Sequence, residues 1–155
     1  MTRFISDVML GSLARWLRIM GFDTIYFRDI DDNELIKIAR QQDRTLLTRD
    51  TGIARRKQLQ QLILIHSNNT SEQVKEVLSA LKIMDRPFPR LSPRCPICNG
   101  ELAAAERKTV AGLVPEYVFL NAASFFTCRE CGKVYWYGSH KKSIDSKLKQ
   151  IIGEK

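Results

Sequence analysis

A chain of 155 residues with 44% apolar side chains is long enough to bury one core and to carry a small second module. It has no run of about 18 apolar residues that could span a membrane, and its amino terminus lacks the layout of a secretory signal, so a membrane partner is not expected and a reducing cytoplasm is. The formal charge of +8 favours a polyanionic partner without requiring one.

Residues 3–7 read as a short buried strand. A helix is expected over 8–20, with Leu10, Leu13, Leu17 and Met20 as its apolar stripe and Gly21 where it stops. Residues 23–27 form the next expected strand, and the acidic run Asp31, Asp32, Glu34 opens a helix that turns Leu35, Ile36 and Ala39 inward. A third strand is expected over 45–48, a basic helical piece over 54–59, a fourth strand over 62–65 and an amphipathic helix over 71–84. Strands that alternate with helices imply an α/β fold, a parallel sheet with helices on its faces. Residues 86–94 are proline-rich and aperiodic, which marks a linker. Beyond it, 117–120, 125–127 and 134–137 have the aromatic and β-branched composition of short strands, and 141–155 form a basic tail with a helical pattern over 141–152. The expected division is therefore 1–85, linker 86–94, a module over 95–140 and the tail.

All four cysteines fall in that module, as Cys95-x-x-Cys98 and Cys128-x-x-Cys131. Each pair lets two thiolates converge from one tight turn, and two turns complete a tetrahedral S₄ set. Asn99-Gly100 and Gly132 follow the pairs, which suits a backbone that bends around an ion. The reading is a zinc ribbon with structural Zn²⁺. Two disulfides or buried thiols are the alternative, disfavoured by the paired spacing and the reducing compartment. Four protein ligands leave no open position for substrate, so any chemistry belongs elsewhere.

Ligands of an open parallel sheet gather outside the carboxyl ends of its strands. Asp7 ends the first strand, Asp50 follows the third, and Asp32 and Glu34 open the helix after the second. These four acids share one edge. Carboxylates gathered there need a cation, and hard oxygen ligands suit Mg²⁺ or Mn²⁺. Each acid also suits a helix cap, and one residue can serve both purposes. Arg15 and Arg18 lie three apart on the first helix, opposite its apolar stripe, and Gly11 one turn earlier would allow a phosphate backbone to approach. A solvated arginine face is the bland alternative. His66 could reach the same edge, though a structural histidine is the commoner case. Tyr135, Trp136 and Tyr137 could stack bases or fill the ribbon core.

Residues 6–18, 21–23, 32–35 and 46–50, with Cys95 to Gly100, Cys128 to Trp136 and Gly138 to His140, resemble the Mut7-C family, in the family's order. The resemblance implies a PIN-like, Rossmann-like three-layer α/β/α core joined to a carboxyl-terminal zinc ribbon, and metal-dependent cleavage of RNA. It implies Asp7, Asp32 and Asp50 as metal-holding acids with Glu34, or Asp29, assisting. In a ribonuclease of this kind, Arg15, Arg18 and Arg49 are the expected phosphate-positioning residues. The competing reading is a non-catalytic RNA- or ribosome-binding module, or an adaptor for an RNA-processing protein.

Overall fold

Four short strands, β1 (Phe4–Ser6), β2 (Thr24–Tyr26), β3 (Thr45–Thr48) and β4 (Leu62–Leu64), make a wholly parallel sheet in the order β2-β1-β3-β4. They belong to a computed structural model that describes residues 1–56, 59–84 and 91–153. Every residue of the central strands β1 and β3 is buried, as expected where helices cover both faces. Between the strands run α1 (Gly11–Ile19), α2 (Asp32–Gln41) and α3 (Thr51–Ala54), and α4 (Thr70–Ala80) follows β4. Ile5 and Leu46 pack with Leu35, Ile36 and Ala39 of α2 and Ile53 of α3 in one core layer. Side chains alternate along a strand, so Phe4 serves the opposite layer, where it meets Phe22 edge-on at 5.5 Å. There α1 packs on α4, β1 and β2. The α/β core with flanking helices is as the sequence implied.

Local chemistry explains the borders. The first helix opens as a 3-10 turn, Val8–Leu10, because the Asp7 carboxylate accepts from the Val8 N–H and tightens the start. Helix α1 ends in a left-handed Gly21 (φ +96°). Gly21 N–H donates to Arg18 O and Phe22 N–H to Leu17 O, the paired bonds of a Schellman stop. A side chain at Gly21 would also strike Leu91. Gly11 has a packing role. A Cβ there would lie 2.9 Å from the Tyr26 ring, whose hydroxyl donates to Val8 O at 2.9 Å.

The chain divides into two compact units, Met1–Asn99 and Gly100–Lys155. The border therefore falls after the first cysteine pair, whereas composition put it before that pair. The expected linker lies partly on residues 85–90, outside the described residues, as do 57–58 of the basic helical piece. In the second unit, β5 (Leu102–Ala105), β6 (Phe125–Cys128) and β7 (Val134–Trp136) form an antiparallel sheet in sequence order. Two helices complete it, α5 (Glu116–Asn121) and α6 (Ser139–Ile152). Residues 117–120, expected as a strand, lie in α5. Val118 and Phe119 turn onto the Val110, Ala122 and Phe125 cluster, and that tertiary demand overrides their β-propensity. Strand β5 escaped notice because three alanines are weak strand formers. It exists by pairing with β6. Trp136 joins the core cluster and Tyr137 meets Phe126 edge-on at 5.2 Å, so these aromatics serve packing.

Candidate functional site

Both cysteine pairs lie on turns of one design. Asn99 N–H donates to Cys95 O at 2.9 Å, and Gly132 N–H donates to Cys128 O at 3.1 Å. Each turn closes on a left-handed residue, Asn99 (φ +69°) and Gly132 (φ +73°), a conformation that Asn tolerates and Gly adopts at no steric cost. Gly100 has another reason to be glycine: a Cβ there would fall 2.8 Å from Cys128 Sγ. The four Sγ atoms lie within 4.8 Å of one another. A tetrahedral thiolate site at the usual zinc–sulfur length sets sulfurs roughly 3.8 Å apart, so the cluster fits a metal ion and is consistent with structural zinc. No disulfide joins them. Among the described residues this is the one group of three or more such side chains so close together.

The first turn is fastened to the sheet unit. Arg18 is only 6% exposed, contrary to its expected place on a solvated face. Its Nε donates to Thr24 O at 2.8 Å, and its Nη1 donates to Pro96 O and Ile97 O, each at 3.1 Å. Arg18 O accepts from Arg94 N–H at 2.9 Å. Burial pushes this guanidinium below its ordinary value, while Cys95, Cys98 and Asp23 pull it up. Asn99 extends the attachment. Its Oδ1 accepts from Thr24 N–H at 3.0 Å, and its Nδ2 donates to Asp23 Oδ1 at 2.8 Å.

Asp23 also accepts from Arg44, at 2.7 and 3.2 Å. Burial raises the Asp23 carboxyl, but the bonds from Arg44 and Asn99 outweigh it and hold it below its ordinary value. The folded form therefore binds this proton less readily than the unfolded chain. Its stabilisation is present above the unfolded carboxyl value, about pH 4, and is lost as pH falls through the folded value. Denaturant midpoints measured from pH 6 downward should show this decline, and Asp23→Asn should flatten it at the expense of stability at neutral pH. An unchanged acid limb in the variant refutes the assignment.

The acidic edge is built from β1 and β3, which are neighbours. The chain leaves β1 for β2 on one side, and β3 continues to β4 on the other, so Asp7 and Asp50 flank the point where strand order reverses. Asp7 is 5% exposed. Its Oδ1 accepts from Val8 N–H at 2.6 Å and its Oδ2 from Thr48 Oγ1 at 2.7 Å. The same hydroxyl accepts from Asp50 N–H at 3.0 Å. Thr48 thus links the two acids. It was missed as a site residue because a strand-end threonine reads as ordinary β composition. Asp50 Oδ1 accepts from Gly52 N–H at 2.6 Å and caps α3, the capping use its position also suits.

The other acids are held apart. Asp31, not Asp32, caps α2. Asp32 is half exposed, with Arg56 Nη2 at 3.5 Å, and Arg56 Nη1 donates to Asn33 at 2.8 Å. Glu34 is exposed and pairs with Lys37 at 3.3 Å. Asp29 is exposed. Asp7, Asp32 and Asp50 are not gathered as the cysteines are. Local partners, a helix cap for Asp50 and Arg56 for Asp32, decide where the carboxylates rest. Arg15 is exposed on α1, while Arg49 Nε is buried and has no hydrogen-bond partner among the described residues. His66 is exposed at the end of β4, and its backbone N–H and that of Ser67 donate to the Glu76 carboxylate at 2.8 Å.

No helix among the described residues is long and apolar enough to cross a membrane. Neither the curated proteins nor the solved structures include a match to this chain. A family model described as the Mut7-C RNAse domain does match, over residues 2–148. That match takes in the whole parallel sheet, the Asp7–Thr48–Asp50 edge and both cysteine turns, and the chain belongs to the Mut7-C family.

Proposed function

We propose that the protein is a ribonuclease that hydrolyses RNA phosphodiesters with Mg²⁺ or Mn²⁺ held at Asp7 and Asp50, and that the four cysteines hold structural Zn²⁺. The observation that carries this reading is the Asp7–Thr48–Asp50 arrangement at the reversal of strand order, in a chain of an RNase-named family. The donor set suits a hard cation. A carboxylate offers about four acceptor sites, so Asp7 keeps acceptor capacity beyond its two bonds, and Mg²⁺ needs only one or two direct carboxylates with water completing its shell. Asp32 would act through such a water once released from Arg56, with Glu34 assisting from beyond Asn33 on α2. When bound, the cation supplies an acidified water and stabilises charge on phosphoryl oxygens.

The protein's own residues have distinct parts. Thr48 holds the Asp7 carboxylate in one orientation, since its hydroxyl donates there while accepting from Asp50. Arg15 and Arg49 position the RNA backbone, and the buried Arg49 Nε–H is a donor that a phosphate oxygen would satisfy. Arg18 belongs to the fold, because its guanidinium is committed to backbone carbonyls. We place its work in the cytoplasm, where thiols stay reduced and RNA is abundant, with a ribosome or an RNA-processing protein as the accompanying partner.

One observation favours a second reading, an RNA-binding module without catalysis: Asp32 rests beside the Arg56 guanidinium, which already gives it a positive partner. Incubation of the purified protein with mixed RNA, with and without added Mn²⁺, separates the two. Fragments that accumulate only with the metal support the ribonuclease. RNA that is retained but never cut, at any Mn²⁺ level, supports the module.

A further inference from the structure

We infer that Arg18 is a positioning residue for the cysteine metal centre, and that through it the presence of the metal is transmitted to α1 and β2. A Zn²⁺ held by four thiolates carries a net charge of about −2, which a partly buried site must offset. Arg18 is a buried cation set against the turn that carries Cys95 and Cys98. Its Nη1 donates to both carbonyls between those cysteines, Pro96 O and Ile97 O. Two fixed carbonyls fix the peptide planes of the turn, and hence the directions from which the two sulfurs approach an ion. The other side of the guanidinium fork reaches Thr24 O in β2. One side chain therefore touches the turn and the sheet at once.

The backbone repeats the connection. Arg94 N–H donates to Arg18 O, and Thr24 N–H donates to Asn99 Oδ1. Asn99 closes the turn in a left-handed conformation, φ +69°, with its N–H donated to Cys95 O. Without the metal, the thiolates lose the ion that draws them together and the turn loses its reason to close. Arg18 would then keep its desolvation and lose its acceptors, a costly state for a buried charge. Loss of metal should therefore loosen the β2 side of the first unit, as well as the second unit.

The inference rests on zinc at the cysteines and is independent of the ribonuclease reading. Zinc content of the purified full chain is measured first, and a protein without zinc overturns it together with the structural-zinc reading. Hydrogen exchange is then compared between the zinc-loaded and zinc-stripped full chain. The Thr24 and Arg94 amides should exchange at least tenfold faster after stripping, while Leu46 and Leu47 of β3 remain protected. Equal protection at Thr24 and Arg94 in both states overturns the inference without any variant. Arg18→Gln should also weaken zinc by roughly 10–100-fold in competition with a chromophoric chelator, the usual range for a group behind the ligands. Arg18→Lys, which keeps the charge and loses the fork, should recover part of that loss. Wild-type affinity in Arg18→Gln overturns the inference, since a purely packing role would lower stability with and without zinc alike.

Discussion

Removal of the metal from the cysteine cluster is expected to unfold the unit Gly100–Lys155. Its hydrophobic cluster among the described residues is small: Val110, Ala122 and Phe125, edged by partly buried neighbours. A core of that size supplies only a few kcal/mol, whereas a structural zinc site contributes about 10–16 kcal/mol of binding free energy that is also folding free energy. Chelation should therefore abolish the dispersed methyl and amide signals of β5, β6 and β7. The first unit should keep its own core, because Phe4, Ile5, Leu13, Leu17, Leu46 and Val77 all lie on its own strands and helices and are fully buried. Its β2 side should loosen for the reason given by Arg18. Cys128→Ser should have the same effect as the chelator, since a hydroxyl is a poor zinc ligand. Spectra of the second unit that survive complete zinc removal would refute the structural role.

Asp7→Asn is expected to reduce Mn²⁺-dependent RNA cleavage at least 10²-fold while the protein stays folded. The carboxylate is the buried anion at the reversal of strand order, and an amide offers a cation neither the charge nor a second oxygen. The fold should tolerate the change. An amide oxygen can still accept from Val8 N–H, and its NH₂ can donate to Thr48 Oγ1, whose two lone pairs also serve Asp50 N–H. Only the threonine proton must find a new acceptor, at about 1 kcal/mol. Zinc content and thermal midpoint should therefore stay close to those of the wild type. Full cleavage by Asp7→Asn would remove the ribonuclease reading, and RNA binding would stand as the function.

Much of the architecture was legible because it depends on local pattern. Alternating short apolar strands and amphipathic helices imply a parallel sheet whatever the packing details, and Gly21 marks the end of α1 through backbone sterics alone. The cysteine spacing is equally local. Two atoms held in one turn can converge on an ion before any long-range contact forms, so the cluster could be read from the chain. The positions of Asp7 and Asp50 at one edge follow from strand polarity in the same way.

What the tertiary structure decided is the use of side chains whose partners are distant in sequence. Arg18 and Arg15 both fall off the apolar stripe of their helix, and local pattern gives neither a partner. Arg18 is buried because Pro96 and Ile97, far along the chain, bring carbonyls to it. Residues 117–120 have strand composition and become a helix because the Phe125 cluster needs Val118 and Phe119 on one side. Asp32 carries the same charge as Asp50, yet its partner is the Arg56 side chain while Asp50 caps a helix. Thr48 gains its part only when β1 and β3 lie side by side. Propensity and spacing are sums over near neighbours. A hydrogen bond between remote residues depends on where the whole chain has folded, and for that reason the sequence alone shows the scaffold and the metal turns while the contacts that bind them together appear only in three dimensions.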